Sequence, residues 1–422
     1  MRVSGETEAG LPGTLSGPER EGRPITARMP LEGVVVLDAT QVMAGPFCTL
    51  LLADMGADVI KVEKPQGGDD SRSFGPPFIA GESAAFMAIN RNKRSIALNL
   101  KSDEGRDLFR RLARRSDILV ENFRPGTMES LELHYEAIQQ INPSIIYCSI
   151  SGFGQTGPYR SRGGFDLVAQ GMSGLISVTG HPGGPPTKVG VPISDLNAGL
   201  YAAYGILSAY AHRLKTGEGQ HVDTSLLEAA VAYTFWESSA YFATGQVPQQ
   251  MGSAHRLNAP YQIFETEDGA LCIGAANQST WEKLCKVLER RDLAEDPRFA
   301  ANADRIRHYR ELATFLQPIL LKRKTAEWLD LLEAAGVPAG PIYTMAQVYD
   351  DPHVRAREML VELDHPVAGK IKNIGIPVKL SRTPGRLHRP APQLGQHTEE
   401  ALLWLGIDHA KIVKLRDAGA IA

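Results

Sequence analysis

Residues 33 to 63 run Gly33-Val-Val-Val-Leu-Asp-Ala-Thr-Gln-Val-Met-Ala-Gly-Pro46, then Phe47 to Met55, Gly56, and Val59-Ile-Lys-Val-Glu63. Gly33 to Asp38 reads as a short buried strand, because its apolar run is unbroken. Ala44-Gly45-Pro46 interrupts the chain. Phe47 to Met55 is an apolar helix that Gly56 closes, and Val59 to Glu63 is a second buried strand. Strand, helix and strand in this order make a βαβ unit, and that unit requires a parallel sheet covered by helices. The turn after the first strand lacks the glycine-rich dinucleotide fingerprint.

The alternation continues outward. Ser95 to Asn99 is strand-like, and Ser102 to Arg114 is an amphipathic helix with acids in its first turn and arginines in its last. Ile118 to Val120, Tyr135 to Gln140 and Ile145 to Ser149 give strand, helix and strand again. A doubly wound α/β sheet is the expected fold. Gly152-Phe-Gly-Gln-Thr-Gly157 matches G-x-G-x-x-G, but Pro158 and the following Arg-Ser-Arg-Gly-Gly cannot open the helix that a nucleotide site needs.

Val189 to Ile193 is a further apolar run, ending in Ser194-Asp195. The helix expected from Leu196 to Leu214 carries no charged residue before Arg213 apart from His212, so it should be buried. Asp195 then stands where an extended segment meets a helix. One reading makes it the N-cap. The other makes it a reactive carboxylate, kept ionised by the positive helix end, with Ala198 and Gly199 leaving room for a ligand.

After a short strand at Gln220 to Thr224, Leu226 to Thr244 is expected to be a second long helix with little charge. Glu267-Asp-Gly269 marks a hairpin turn. Helices at 280–290, 305–320 and 325–335 follow, and Val337-Pro-Ala-Gly-Pro341 reads as a hinge. The division is therefore a large domain over 30–225, a linker helix and small domain over 226–340, and a return to the large domain over 341–422. Residues 1–29 are rich in Gly, Glu, Pro, Ser and Thr and are expected to be a disordered extension.

The chain has 422 residues, is 43% hydrophobic and carries a net charge of −3. That balance gives no electrostatic footprint for nucleic acid or a membrane surface, and no apolar run approaches the roughly 18 residues of a membrane span. Cys48, Cys148, Cys272 and Cys285 lie in apolar segments outside any short metal or redox spacing. They read as buried thiols in a reducing, cytoplasmic compartment. No close histidine pair suggests a metal. Lys64 lies at the end of one strand, the run Asn90-Arg-Asn-Lys-Arg94 precedes another, and Arg124 sits in the loop after a third. Loops at such ends line one crevice in an open parallel sheet, and cations there suit a polyanionic ligand or form a plain basic surface.

These segments bring a family into view. Leu-Glu-Gly-Val-Val-Val-Leu-Asp with Ala-Gly-Pro-Phe, Gly-Ala-Asp-Val-Ile-Lys-Val-Glu, Asn-Lys-Arg-Ser-Ile, Val-Glu-Asn-Phe-Arg-Pro-Gly, Ser-Gly-Phe-Gly-Gln-Thr-Gly-Pro-Tyr and Gly-Val-Pro-Ala-Gly-Pro all occur here. In these the chain, from Leu31 onward, resembles class III coenzyme A transferases, the family of formyl-CoA transferase and carnitine CoA-transferase, with alpha-methylacyl-CoA racemase as a relative. The resemblance implies an open Rossmann-like parallel sheet, a smaller α+β domain and an interlocked homodimer. It implies no resident cofactor, since the coenzyme A thioester is the substrate.

It further implies that Asp195 is the nucleophile and that Val42, Lys64, Lys93, Asn122, Phe123 and Arg124 line the CoA groove. Met43, Gly152, Phe153 and Phe165 fall in its substrate loops. The Gly-rich turns at Gly152 and Gly180 to Gly184 read either as sources of oxyanion donors or as ordinary turns. Ser130 and Ser151 replace an arginine and a lysine of the formate enzyme. Met43 replaces a glutamine of the formyl and oxalyl enzymes, which argues against oxalate. Gly-Asp-Asp-Ser-Arg-Ser-Phe-Gly-Pro-Pro-Phe and Gly-Ser-Ala-His resemble the succinate–hydroxymethylglutarate branch, which implies dicarboxylic acids. The racemase relatives carry a histidine where this chain has Phe165, so a base for alpha-proton exchange is missing.

Overall fold

A computed structural model describes residues 29–422. The disorder expected of the N-terminal extension falls, except for Met29, outside the described residues. The first strand, β1, is Val35–Ala39, and helix α1 is Ala44–Asp54. Strand β2 (Asp58–Glu63), β3 (Lys93–Ala97), helix α2 (Asp103–Arg114), β4 (Ile118–Glu121), helix α3 (Tyr135–Ile141) and β5 (Ile146–Ser151) follow. Next come helix α4 (Asp166–Met172), the long helix α5 (Ile193–Thr216) and β6 (Gln220–Ser225). The six strands are all parallel and lie in the order 3-2-1-4-5-6. The order reverses between β1 and β4, and at that switch point an open α/β sheet leaves a crevice beyond its carboxyl edge.

Alternate residues of each strand feed opposite faces. Leu37, Ile60, Leu119 and Tyr147 pack beneath α2, α3 and the two C-terminal helices, Thr398–Trp404 and His409–Asp417. Val36, Val59, Ile118 and Cys148 pack against α1 and α5. Each such aliphatic side chain contributes about 1.5–3 kcal/mol when fully buried. A separate core, built on Trp281, Phe264, Phe299 and Leu316, belongs to the segment around the antiparallel strands β7 (Tyr261–Glu265), β8 (Ala270–Gly274) and β9 (Ala339–Pro341). Thr266 N–H donates to Gly269 O across the expected hairpin turn.

Three expectations need correction. Helix α5 is not wholly buried: Ala198, Ala202, Ile206 and Ala209 face the sheet, while Leu200, Tyr204, Leu207 and Leu214 are exposed. The helix expected over 226–244 is two helices, Leu226–Val231 and Phe235–Thr244. Between them the Thr234 hydroxyl donates to Val231 O, and Thr234 Oγ1 and Ser238 Oγ share a hydrogen bond, so side-chain bonds compete with the helical ladder. Cys272 is exposed, because Leu271 and Ile273 take the inward face of β8 and turn it outward. Among the described residues no helix is long and apolar enough to cross a membrane.

Candidate active site

Two adjoining cavities lie at the switch point. The larger, about 810 Å³, runs from the ends of β1, β2 and β3 to the segment after β4. The smaller, about 340 Å³, lies where β1, β4 and β5 end and where α1, α4 and α5 begin. Gln41 and Phe123 line both.

The wall between β1 and β4 is built by hydrogen bonds. Asn122 Oδ1 accepts the Gln41 N–H at 2.8 Å, and its Nδ2 donates to Gln41 O at 2.8 Å, which ties the two strand ends together. The next residue, Val42, has φ 68°, in the left-handed region that a β-branched side chain rarely enters. Such a conformation costs on the order of 1–3 kcal/mol and persists only where its surroundings impose it. Asp69 imposes it here by accepting the Val42 N–H at 3.0 Å. Burial opposes ionisation of Asp69, but the buried Lys61, 2.8 Å away, and the Ser71 and Val42 amides hold its carboxyl down at about 2. Val42, Met43 and Ala44 therefore reach the small cavity on a rigid turn that leads into the N-terminus of α1.

Asp195 faces them across that cavity. It is not an N-cap. Helix α5 begins at Ile193 after Pro192, which leaves Asp195 as the third helical residue. The capping carboxylate comes from another helix. Asp166, the first residue of α4, accepts the Ser194 N–H at 2.9 Å through Oδ1 and the Gln170 Nε2–H at 2.8 Å through Oδ2. Gln170 is fully buried and accepts the Val189 N–H in turn. The side chain of Asp195 has no hydrogen-bond or ion-pair partner among the described residues. Burial first, then the nearby Asp166, push its carboxyl up to about 7. That direction is opposite to the ionising pull expected of the helix end.

Gly199 makes this juxtaposition possible. A Cβ there would stand 2.5 Å from Ala44 O and 3.0 Å from Phe47, so only glycine lets α5 meet the start of α1. Gly152 and Gly164 work the same way. A Cβ on Gly164 would lie 2.3 Å from Gly152 Cα, so the loop before α4 packs backbone on backbone over the end of β5. That loop delivers Phe165 to the cavity. Phe165 is extended while Asp166 turns away to cap α5, so neighbouring side chains serve opposite sides.

Of the residues expected at the site, Val42, Met43, Asn122, Phe123, Arg124, Gly152, Phe165 and Asp195 line the small cavity, and Lys64 and Phe123 the large one. Lys64 is paired with Asp70 at 2.5 Å. Ser151 and Ser130, which replace the two basic residues, line the small and the large cavity respectively. Phe153 does not line the small cavity but packs edge-on against Tyr159. The loop at Gly180–Gly184 does not line it either, since Gly180 O accepts the Gly252 N–H and Gln250 Nε2 donates to Thr179 O.

Lys93 is 0% exposed and does not reach the groove. Its Nζ donates to Pro46 O and Asn90 Oδ1 at 2.9 Å and lies 3.2 Å from Asp38. Burial pushes its amine down to about 8. A lysine at the start of a parallel strand points under α1 rather than over the carboxyl edge, which corrects the expectation. The groove cation that the reading missed is Lys101, beyond the end of β3 beside Leu98 and Asn99. Its place after a strand end was the available signal.

The family model for CoA-transferase family III matches residues 31–398. The chain belongs to that family. It is a CoA-transferase. Human succinyl-CoA:glutarate CoA-transferase is 41% identical over 393 residues, 93% of this chain and 90% of its own length. Succinyl-CoA:mesaconate CoA-transferase of Haloarcula marismortui is 43% identical over 388 residues, 90% of this chain and 97% of that protein. The crystal structure of a CAIB/BAIF family protein from Brucella suis, 40% identical, superposes with a TM-score of 0.80 over 90% of this transferase and all of that chain.

Proposed function

We propose that this transferase moves coenzyme A between dicarboxylic acids through covalent intermediates on Asp195. The observation that carries the reading is a carboxylate without partners, held in a small cavity beside a large cation-bearing groove. The names of the human and archaeal relatives, which act on succinyl-CoA with glutarate or mesaconate, support dicarboxylates.

In this reading the nucleotide end of the CoA thioester occupies the large cavity near Lys64 and Lys101, and the thioester reaches Asp195. An Asp195 oxygen attacks the thioester carbonyl and CoA thiolate leaves, forming a mixed anhydride. The thiolate attacks Asp195 Cγ, displaces the first acid as its carboxylate, and leaves an aspartyl-CoA thioester. The carboxylate of the second acid attacks that Cγ, and thiolate leaves again. The thiolate then attacks the acyl carbonyl of the new anhydride, releasing the new acyl-CoA and the Asp195 carboxylate. No net proton moves, and each step exchanges acyl groups of similar energy. A carboxylate without hydrogen bonds is a stronger nucleophile than a solvated one, and the amides at the starts of α1 and α5 favour negative charge as it develops. The reaction needs no resident cofactor.

The working unit is an interlocked homodimer in the cytoplasm. Leu200, Tyr204, Leu207 and Leu214 form one apolar stripe on α5, and Phe235 and Phe242 are 74% and 81% exposed. An apolar surface of this extent suits a second copy. Sedimentation at micromolar concentration tests it, and a stable monomer refutes it. The test of the chemistry is a panel of acyl-CoA donors crossed with carboxylic acids, read by mass spectrometry. Transfer to succinate, glutarate or mesaconate is expected. Transfer confined to monocarboxylic acids, or none, refutes the reading.

A further inference from the structure

Two arginines in the small cavity have no assigned carboxylate. Arg124 and Arg162 both line it with Asp195, and neither has an ion-pair partner among the described residues. Asp70, also in the lining, is already engaged by Lys64. Arg124 follows Asn122 and Phe123, on the wall that this cavity shares with the CoA groove. Arg162 comes from the other side, on the loop that ends at Phe165. Its position is built in three steps. The Gly152–Gly164 backbone contact seats the loop. The Arg162 N–H donates to Tyr159 O at 2.9 Å. Its guanidinium then stacks 3.8 Å above the Tyr159 ring, which Phe153 supports edge-on at 5.9 Å. Stacking occupies the face of a guanidinium and leaves its N–H edge free, the geometry that grips a carboxylate through two parallel hydrogen bonds.

We propose that Arg162, stacked on the Tyr159 ring that Phe153 supports, receives the distal carboxylate of the acid whose other carboxyl group reacts at Asp195. This rests on the dicarboxylate reading above and names the residue that selects for it. The size is compatible: a cavity of about 340 Å³, roughly 9 Å across if rounded, accommodates a five-carbon diacid whose carboxyl carbons are roughly 5 Å apart. The charge is compatible too, since the lining carries two unpaired guanidinium groups and, with Asp70 engaged by Lys64, a single unpaired carboxylate. The same contact serves donor and acceptor, because the acyl half of succinyl-CoA also carries a free carboxylate.

The test is steady-state kinetics of the full chain with succinyl-CoA and glutarate, for wild type, Arg162→Gln and Arg162→Lys, with free CoA as a competitive inhibitor. Arg162→Gln should raise the KM for glutarate about 10- to 100-fold, the usual size for a lost charged hydrogen-bond pair. Arg162→Lys should restore part of it, since a lysine keeps the charge but not the fork. The inhibition constant of free CoA, which has no distal carboxylate, should change far less than the KM for glutarate. A thermal midpoint like that of wild type confirms that each variant folds. An unchanged KM for glutarate, or a CoA inhibition constant that rises as much, overturns the proposal and leaves the transferase reading intact. If wild type moves CoA to monocarboxylic acids alone, the dicarboxylate reading fails and this inference falls with it.

Discussion

Asp166→Asn separates the two things that Asp166 does. Its shape caps α5, and its charge raises the carboxyl of Asp195. Asparagine keeps an oxygen for the Ser194 N–H. It also presents an amide N–H₂ to Gln170 Nε2, so a buried donor loses its acceptor, a cost of about 1–3 kcal/mol. The electrostatic effect has a definite sign. A neighbouring anion disfavours ionisation of Asp195, so removing it moves the acidic limb of the pH profile downward. The total rise is from 3.8 to about 7, and burial is the larger cause. As the lesser of the two causes, the Asp166 charge is assigned about one pH unit of that rise, or about 1.4 kcal/mol. The fraction of Asp195 ionised at pH 6 then rises from about one-tenth to about one-half. The assay is kcat/KM from pH 5 to 9, which reports groups on the free enzyme. Wild type should lose activity below about pH 7 and the variant below about pH 6, so the ratio of activity at pH 6 to that at pH 8 should rise about fivefold. A limb that stays in place or moves upward, in a variant that keeps its fold, refutes the electrostatic coupling.

Four further outcomes are expected. Asp195→Ala and Asp195→Asn should abolish transfer while the protein stays folded, and hydroxylamine should trap a hydroxamate at Asp195 in wild type incubated with acyl-CoA; an alanine variant with most of its activity refutes the nucleophile. The raised carboxyl of Asp195 means the folded state holds its proton at pH values where the unfolded chain has lost it, so this group makes stability fall as pH rises from about 4 to about 7. Asp195→Asn should therefore melt higher than wild type at pH 8, with a smaller gap at pH 5, and a gap independent of pH refutes the argument. Lys93→Met leaves Asp38 buried beside one cation instead of two and should cost about 3–5 kcal/mol in denaturant unfolding, whereas a loss confined to CoA affinity would return Lys93 to the groove. Phe165→His puts a base at the cavity and should raise deuterium incorporation at the alpha carbon of a 2-methylacyl-CoA; exchange by wild type that rivals transfer would overturn the transferase assignment.

The start of the sheet was legible because β1 and β2 carry apolar residues on both faces. Val36 with Leu37 and Val59 with Ile60 leave no polar alternative to burial, and Gly56 and the charges of α2 mark the helix ends. Asp195, the proposed nucleophile, stood out through its segment, but its environment did not. The residue that caps α5, Asp166, lies 28 positions before Ser194, and no local rule connects them. Lys93 and Lys101 look alike in sequence, yet one begins β3 and the other follows it, so they lie at opposite ends of a strand. An error of strand register separates a buried counter-ion from a groove cation. The outer face of α5 misled because an apolar helix reads as buried on every side, although only one of its faces packs on the sheet.

The strain at Val42 and the raised carboxyl of Asp195 have a common physical source. Both are conformations or charge states that an isolated segment would abandon. A lone loop would relax Val42 out of the left-handed region, and a lone helix end would ionise Asp195 and solvate it. Each is imposed by groups held far from the cavity. Lys61, wholly buried, keeps Asp69 ionised so that it can grip Val42 N–H. Asp166 and Gln170 keep α5 starting at Ile193, so that Asp195 faces the cavity and not the α5 cap. Gly199 then brings the starts of α5 and α1 together with a closeness that any side chain would forbid. The buried polar residues beneath the site therefore act on its reactivity without touching a substrate. Substitutions there should alter the pH limb and kcat before they alter the KM for either substrate, because they change how the carboxylate is presented and not what binds beside it.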